Sequence, residues 1–142
     1  NLELLALHRI CEAEPFPDLD ELRATWLVSE KDRERDPARV AALDERFHNR
    51  LVAAAGNREM ARIHADLQER MRIIRRLDFT VPERIDDAYV HHGKILRAVL
   101  ARKEDQATLL LRTHIEASRA EIRHITLHRL SMARGLVRSA HH

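Results

Sequence analysis

The stretch from Asp36 to Asn57 leaves this chain little choice of fold. Asp36-Pro37 reads as an N-cap followed by proline at the first helical position, where its missing N–H and fixed φ are harmless. Val40, Leu43, Phe47, Leu51 and Ala54 then recur at spacings of three and four, one apolar stripe of an amphipathic helix. Gly56 closes that helix in a left-handed cap, and Asn57 caps the next one directly. Two helices joined by almost no loop must fold back on one another. The stretch commits the chain to antiparallel helix packing.

The remaining sequence repeats the pattern. A short first helix runs to about Glu14 with Leu2, Leu5 and Ile10 in phase, and Pro15-Phe16-Pro17 breaks it. Asp18 with Glu21 has capping-box spacing for a second helix that turns Leu22 and Trp26 inward and ends in a charged, solvated tail through Arg35. The fourth helix carries Met60, Ile63, Leu67, Met71 and Ile74 as its stripe, with Arg70, Arg72, Arg75 and Arg76 around its far end. Thr80-Val81-Pro82-Glu83 opens a fifth, with Ile85, Ala88, Tyr89, His92, Ile95, Leu96 and Val99 inward. After a break at residues 102–105 comes a last long helix with Ala107, Leu110, Leu111, His114, Ser118, Ile122 and Ile125 inward, ending at Gly135. With 142 residues, one domain is expected over 1–142, and only 3 Gly and 4 Pro favour helices over sheets and their turns. The expectation is an all-α antiparallel bundle.

Charge and cysteine usage exclude several classes. A net charge of +2 from nearly balanced Arg and acids gives no strong polyanion-binding field. The single cysteine, Cys11, rules out an intrachain disulfide framework and fits a reducing cytosol, as a small buried hydrophobe. No apolar run approaches the roughly 20 residues that span a bilayer, so no membrane partner is expected. The chain lacks a start methionine and is expected to be a fragment, and His141-His142 are set aside as a possible tag remnant.

The chemistry lies in the histidines. Asp44 and His48 stand four residues apart, so a carboxylate and an imidazole lie on one face of the third helix and can chelate one divalent ion. His92 and His114 fall on the inward stripes of two other helices. A buried aspartate is costly unless paired or metal-bound, and three imidazoles with one carboxylate suit zinc first, then nickel, manganese or iron. Each histidine taken alone is better explained as a core side chain with one hydrogen bond; the four inward polar groups together are harder to satisfy that way. His91 shares a face with Arg84, Asp87 and Lys94 and is expected at the surface, as are His124 and His128. His64 sits at the edge of its stripe as a reserve ligand or pocket wall, and His8 gives no signal.

The run Asp44-Glu45-Arg46-Phe47-His48-Asn49-Arg50-Leu51, followed by Ala54-Ala55-Gly56-Asn57, resembles the D-x-x-F-H-x-x-L…A-x-G-N signature of the FCD ligand-binding domain of FadR-type GntR transcriptional regulators. His92-Gly93-Lys94-Ile95-Leu96-Arg97-Ala98-Val99, with Asp105, Ala107 and His114 following, is similar to that family's E-H-x-x-I-L-x-A segment and what comes after it. The resemblance spans roughly residues 18–125. It implies a six- to seven-helix bundle with a central cavity, a divalent metal on Asp44, His48, His92 and His114, and a small organic acid bound beside it. It also implies a cytoplasmic homodimer that meets DNA only through a winged helix-turn-helix domain this chain does not contain. The first helix matches poorly and is expected to be truncated, and His91 stands where the family commonly has Glu.

The expected function is metal-dependent effector sensing in a transcriptional regulator, not catalysis. Arg70, less so Arg50, would pair with the acid and Ser118 would hydrogen-bond it. Two rivals are a metal-dependent hydrolase, for which no general base or nucleophile stands out beyond the ligands, and a closed structural metal site in a dimerisation module.

Overall fold

The computed structural model describes residues 1–140, and side chains as far as residue 135. His141 and His142 lie outside the described residues. Seven α-helices follow one another: α1 (Leu2–Glu12), α2 (Asp20–Trp26), α3 (Pro37–Ala53), α4 (Arg58–Arg70), α5 (Arg72–Asp78), α6 (Pro82–Leu100) and α7 (Glu104–Ala140). A 3-10 turn at Glu30–Asp32 lies between α2 and α3, and no strand occurs among the described residues. The bundle is all-α, as its periodicity requires. None of these helices is long and apolar enough to cross a membrane.

The α3–α4 corner forms as its residues dictate. Asp36 accepts a hydrogen bond from the Arg39 backbone N–H (3.0 Å), Asn57 accepts one from Met60 (3.0 Å), and Gly56 takes φ +79° between them. That left-handed conformation favours glycine because a Cβ would crowd the following carbonyl. From this corner α3 runs through the middle of the bundle and touches α1, α2, α4, α5 and α6. Its apolar stripe, with Val40, Phe47 and Leu51 fully buried, packs into a core with Leu7, Ile10, Trp26, Ile95, Leu96, Val99 and Leu111.

The structure departs from the expectations in five places. Helix α2 stops at Trp26, capped by Leu19 rather than Asp18, and the charged run beyond it is not helix tail: Arg33 is half-buried and donates to Asp86 (3.0 Å). The expected fourth helix is two helices, parted at Met71, although no Gly or Pro marks the break. Tertiary ion pairs hold it there: Arg72 to Glu45 (3.1 Å) and Arg75 to Asp44 (2.6 Å) draw α5 down onto α3. The inner face of α4 is also rotated from its apolar stripe, with Met60, His64 and Gln68 buried and Ile63 and Leu67 exposed, and His64, Leu67 and Gln68 border a cavity. Helix α6 is capped at Val81 without the expected side-chain cap. Finally, α7 does not stop at Gly135; it continues to Ala140, and every described side chain from Thr126 to Gly135 is exposed.

Candidate metal centre

Asp44 and His48 project from α3, His92 from α6 and His114 from α7, and all four are buried. One ligand atom from each lies within 4.8 Å of the others. Ligand atoms sharing one ion at about 2.1 Å stand roughly 3 to 4.2 Å apart, and Asp44 Oδ1 is 3.1 Å from His92 Nε2 and 3.7 Å from His48 Nε2. His92 is fully buried, yet neither ring nitrogen has an aligned hydrogen-bond partner. Such an orphaned imidazole is costly as a core histidine. It fits a ligand whose lone pair is directed at an ion shared with Asp44. The donor set fits a divalent cation.

Apolar packing holds His92 in that orientation. Phe47 stacks on its ring (centroids 3.8 Å, interplanar 4°), and Trp26 meets it edge-on (4.2 Å, 77°). His48 is held by charge. Its Nδ1 meets the carboxylate of Glu3, a buried residue in the first turn of α1, which leaves Nε2 toward Asp44. Burial pushes the His48 imidazole down, but Glu3 and Asp44 on either side outweigh it and raise its pKa to about 10. The same contacts act in reverse on Asp44: burial pushes its carboxyl up, and His48 and His92 overcome this and hold it well below the usual range. Burial moves His92 and His114 the other way, toward the neutral form that a metal ligand needs.

Above the centre a cavity of about 530 Å³ opens between α1, α4, α5 and α7. Asp44, His48 and His114 form its floor, and Arg70, Arg75, His64, Gln68, Ser118 and Arg119 are among its walls. Arg75 is half-buried, its side chain 12% exposed. Its Nε holds Asp44 Oδ2 at 2.6 Å, Nη2 donates to Gln68 Oε1, and Nη1 is buried without a partner. His64 Nδ1 is likewise unpartnered.

Of the residues expected to meet an effector, Arg70 and Ser118 line this cavity and Arg50 does not. Arg50 lies on the opposite flank of α3, paired with Glu21 (3.2 Å) in a separate recess. His64 is the pocket wall anticipated for it, and His124 and His128 are exposed. His91 is not a surface residue: it is half-buried, with Nδ1 3.2 Å from His114 Nδ1. The residues missed from the sequence are Glu3, Gln68 and Arg75. Glu3 is in phase with Ala6, Leu7 and Ile10, and His64, Gln68, Met71 and Arg75 make a largely polar stripe at helical spacing. A separate trio of His8, Glu12 and Glu104 lies at the surface, with His8 between the two carboxylates.

The chain is 27% identical over 115 residues to the Nta operon transcriptional regulator of Aminobacter aminovorans, covering 81% of this chain and 53% of that protein. The chain thus spans about half the length of the curated relative it matches. No solved structure matches it. Residues 1–117, which include all four candidate ligands, match the FCD domain. The chain belongs to the FCD domain family.

Proposed function

We propose that this domain is the effector-sensing part of a transcriptional regulator, binding a small organic acid beside a divalent metal ion. One observation carries the reading: four buried donors converge, three of them at the floor of a cavity whose wall presents a guanidinium with one buried, unpartnered nitrogen. Asp44, His48, His92 and His114 would leave coordination positions free on an ion that prefers five or six, and three of these residues border the cavity. A carboxylate entering there would meet the ion on one side and Arg75 Nη1 on the other, with Ser118 within the same cavity and Arg70 at its exposed edge. Zinc heads the candidate ions, followed by nickel, manganese and iron. The family and the regulator relative support a role in transcription; on this reading DNA is contacted by a winged helix-turn-helix domain outside these residues and the domain acts as a cytoplasmic homodimer. A ligand regulates such a protein only through a difference in affinity between two arrangements.

Elemental analysis of the purified domain followed by thermal melts against a panel of organic acids tests this. About one metal per chain and selective stabilisation by one acid class are expected. His114→Ala should abolish stoichiometric metal, while His128→Ala should leave it intact. No metal after purification, and none taken up from added zinc, nickel or manganese, would reduce the four donors to core side chains.

A further inference from the structure

His91 and His92 are adjacent on α6 yet differ in what they touch. His92 reaches Asp44, whereas His91 turns toward α7 and meets His114 edge to face, with ring centroids 5.4 Å apart and planes at 78°. The Nδ1 atoms lie 3.2 Å apart, and among the described residues no other hydrogen-bond partner of His114 occurs. We propose that His91 is a positioning residue for His114, accepting the hydrogen bond that turns the other ring nitrogen of His114 to the metal. The proposal rests on the metal reading above.

The chemistry follows from the two nitrogens of an imidazole. A neutral metal-bound histidine offers one lone pair to the ion and carries its proton on the other nitrogen. With Nδ1 of His114 aimed at His91, Nε2 is the atom left for the ion. His91 must then present an Nδ1 lone pair and carry its own proton on Nε2. The nearby alternative acceptor, Asp78, is engaged by Arg84 at 3.1 Å. Glu3 performs the same task for His48 with a full negative charge. His91 does it without one. Once His48 gives up its proton to bind the ion, Glu3 and Asp44 as anions, Arg75 as a cation and a divalent ion would together sum to one positive charge. That residue of charge favours an incoming anion.

Zinc titration of the domain against a chromophoric chelator, with Co²⁺ substitution read by its visible absorption, tests the assignment. His91→Phe keeps a ring in the half-buried site and removes the acceptor; His91→Gln restores an acceptor. The Phe variant should bind zinc roughly 10- to 100-fold more weakly, as loss of an outer-sphere partner does elsewhere, and its Co²⁺ bands should shift. The Gln variant should recover most of the affinity, and melts without metal should change little in both. Equal affinity of His91→Phe and the unsubstituted domain overturns the positioning role while leaving the metal centre standing. Equal loss in both variants overturns it too, since an acceptor would not then matter. Failure of the unsubstituted domain to bind zinc or cobalt removes the metal reading and this proposal together.

Discussion

The candidate metal centre has two unlike walls. On the side of α2, α3 and α6, Trp26 and Phe47 pack on His92, Tyr89 packs on Trp26, and His92 has no exposed surface. On the side of α4, α5 and α7 the neighbours are His64, Gln68, Arg75 and Ser118, bordering open cavity. The first wall is held by close packing, which resists displacement because it fills space. The second is held by a few polar contacts, and α5 has no fully buried side chain. A centre built this way has one ligand fixed by the core and a flank that can answer to what enters the cavity. The same ion would thus touch a part of the protein selected for rigidity and a part free to rearrange.

Substitutions on the two walls should separate these roles. Phe47→Ala should be the most damaging, costing roughly 3–5 kcal/mol in chemical denaturation because it empties a fully buried ring site against His92. A loss below about 1 kcal/mol would mean the packed wall does not hold the centre. Arg75→Ala should cost about 2 kcal/mol without metal, since Asp44 is left buried beside a lost cation. Added zinc should restore part of that loss, and stabilisation by carboxylates should disappear; a variant that still responds fully to acids would remove Arg75 from the anion site. Away from both walls, His8 offers the smallest effect. Its hydrogen bond to Glu104, and the charges of Glu104 and Glu12, raise its pKa above the ordinary 6.5. A pKa raised on folding contributes stability that is complete below 6.5 and is lost as pH rises through the folded value. The melting difference between the unsubstituted domain and His8→Gln should accordingly be larger at pH 6 than at pH 9, and equal differences would show that folding does not raise the His8 pKa.

The packed wall was the legible one. Phe47, Ile95 and Val99 fall on apolar stripes whose spacing declares both a helix and its inner face, and His92 shares their phase. The ligand set was legible for a related reason: Asp44, His48, His92 and His114 interrupt or flank those stripes with side chains a core does not otherwise accept. The polar wall was not, because periodicity assigns apolar residues inward, and α4 buries His64 and Gln68 while Ile63 stays exposed and Leu67 is left open at the cavity. The break at Met71 depends on ion pairs from Arg72 and Arg75 to α3, partners a local reading of residues 57–78 does not contain. Glu3 and His91 were obscured similarly, one as an ordinary first-turn acid, the other by charged neighbours on its own helix rather than the histidine facing it from α7.

Helix α7 adds a mechanical consequence. It supplies His114 and Ser118 to the cavity and then runs on to Ala140, with nothing buried beyond Ile125 among the described side chains. At about 1.5 Å per residue, the arm past Ser118 is roughly 33 Å long. A tilt of about 5° at the cavity would sweep its tip through about 3 Å. With an ion bound at His114 the helix would act as a lever whose fulcrum lies at the cavity, turning a small adjustment there into a displacement at its far end as large as a side chain.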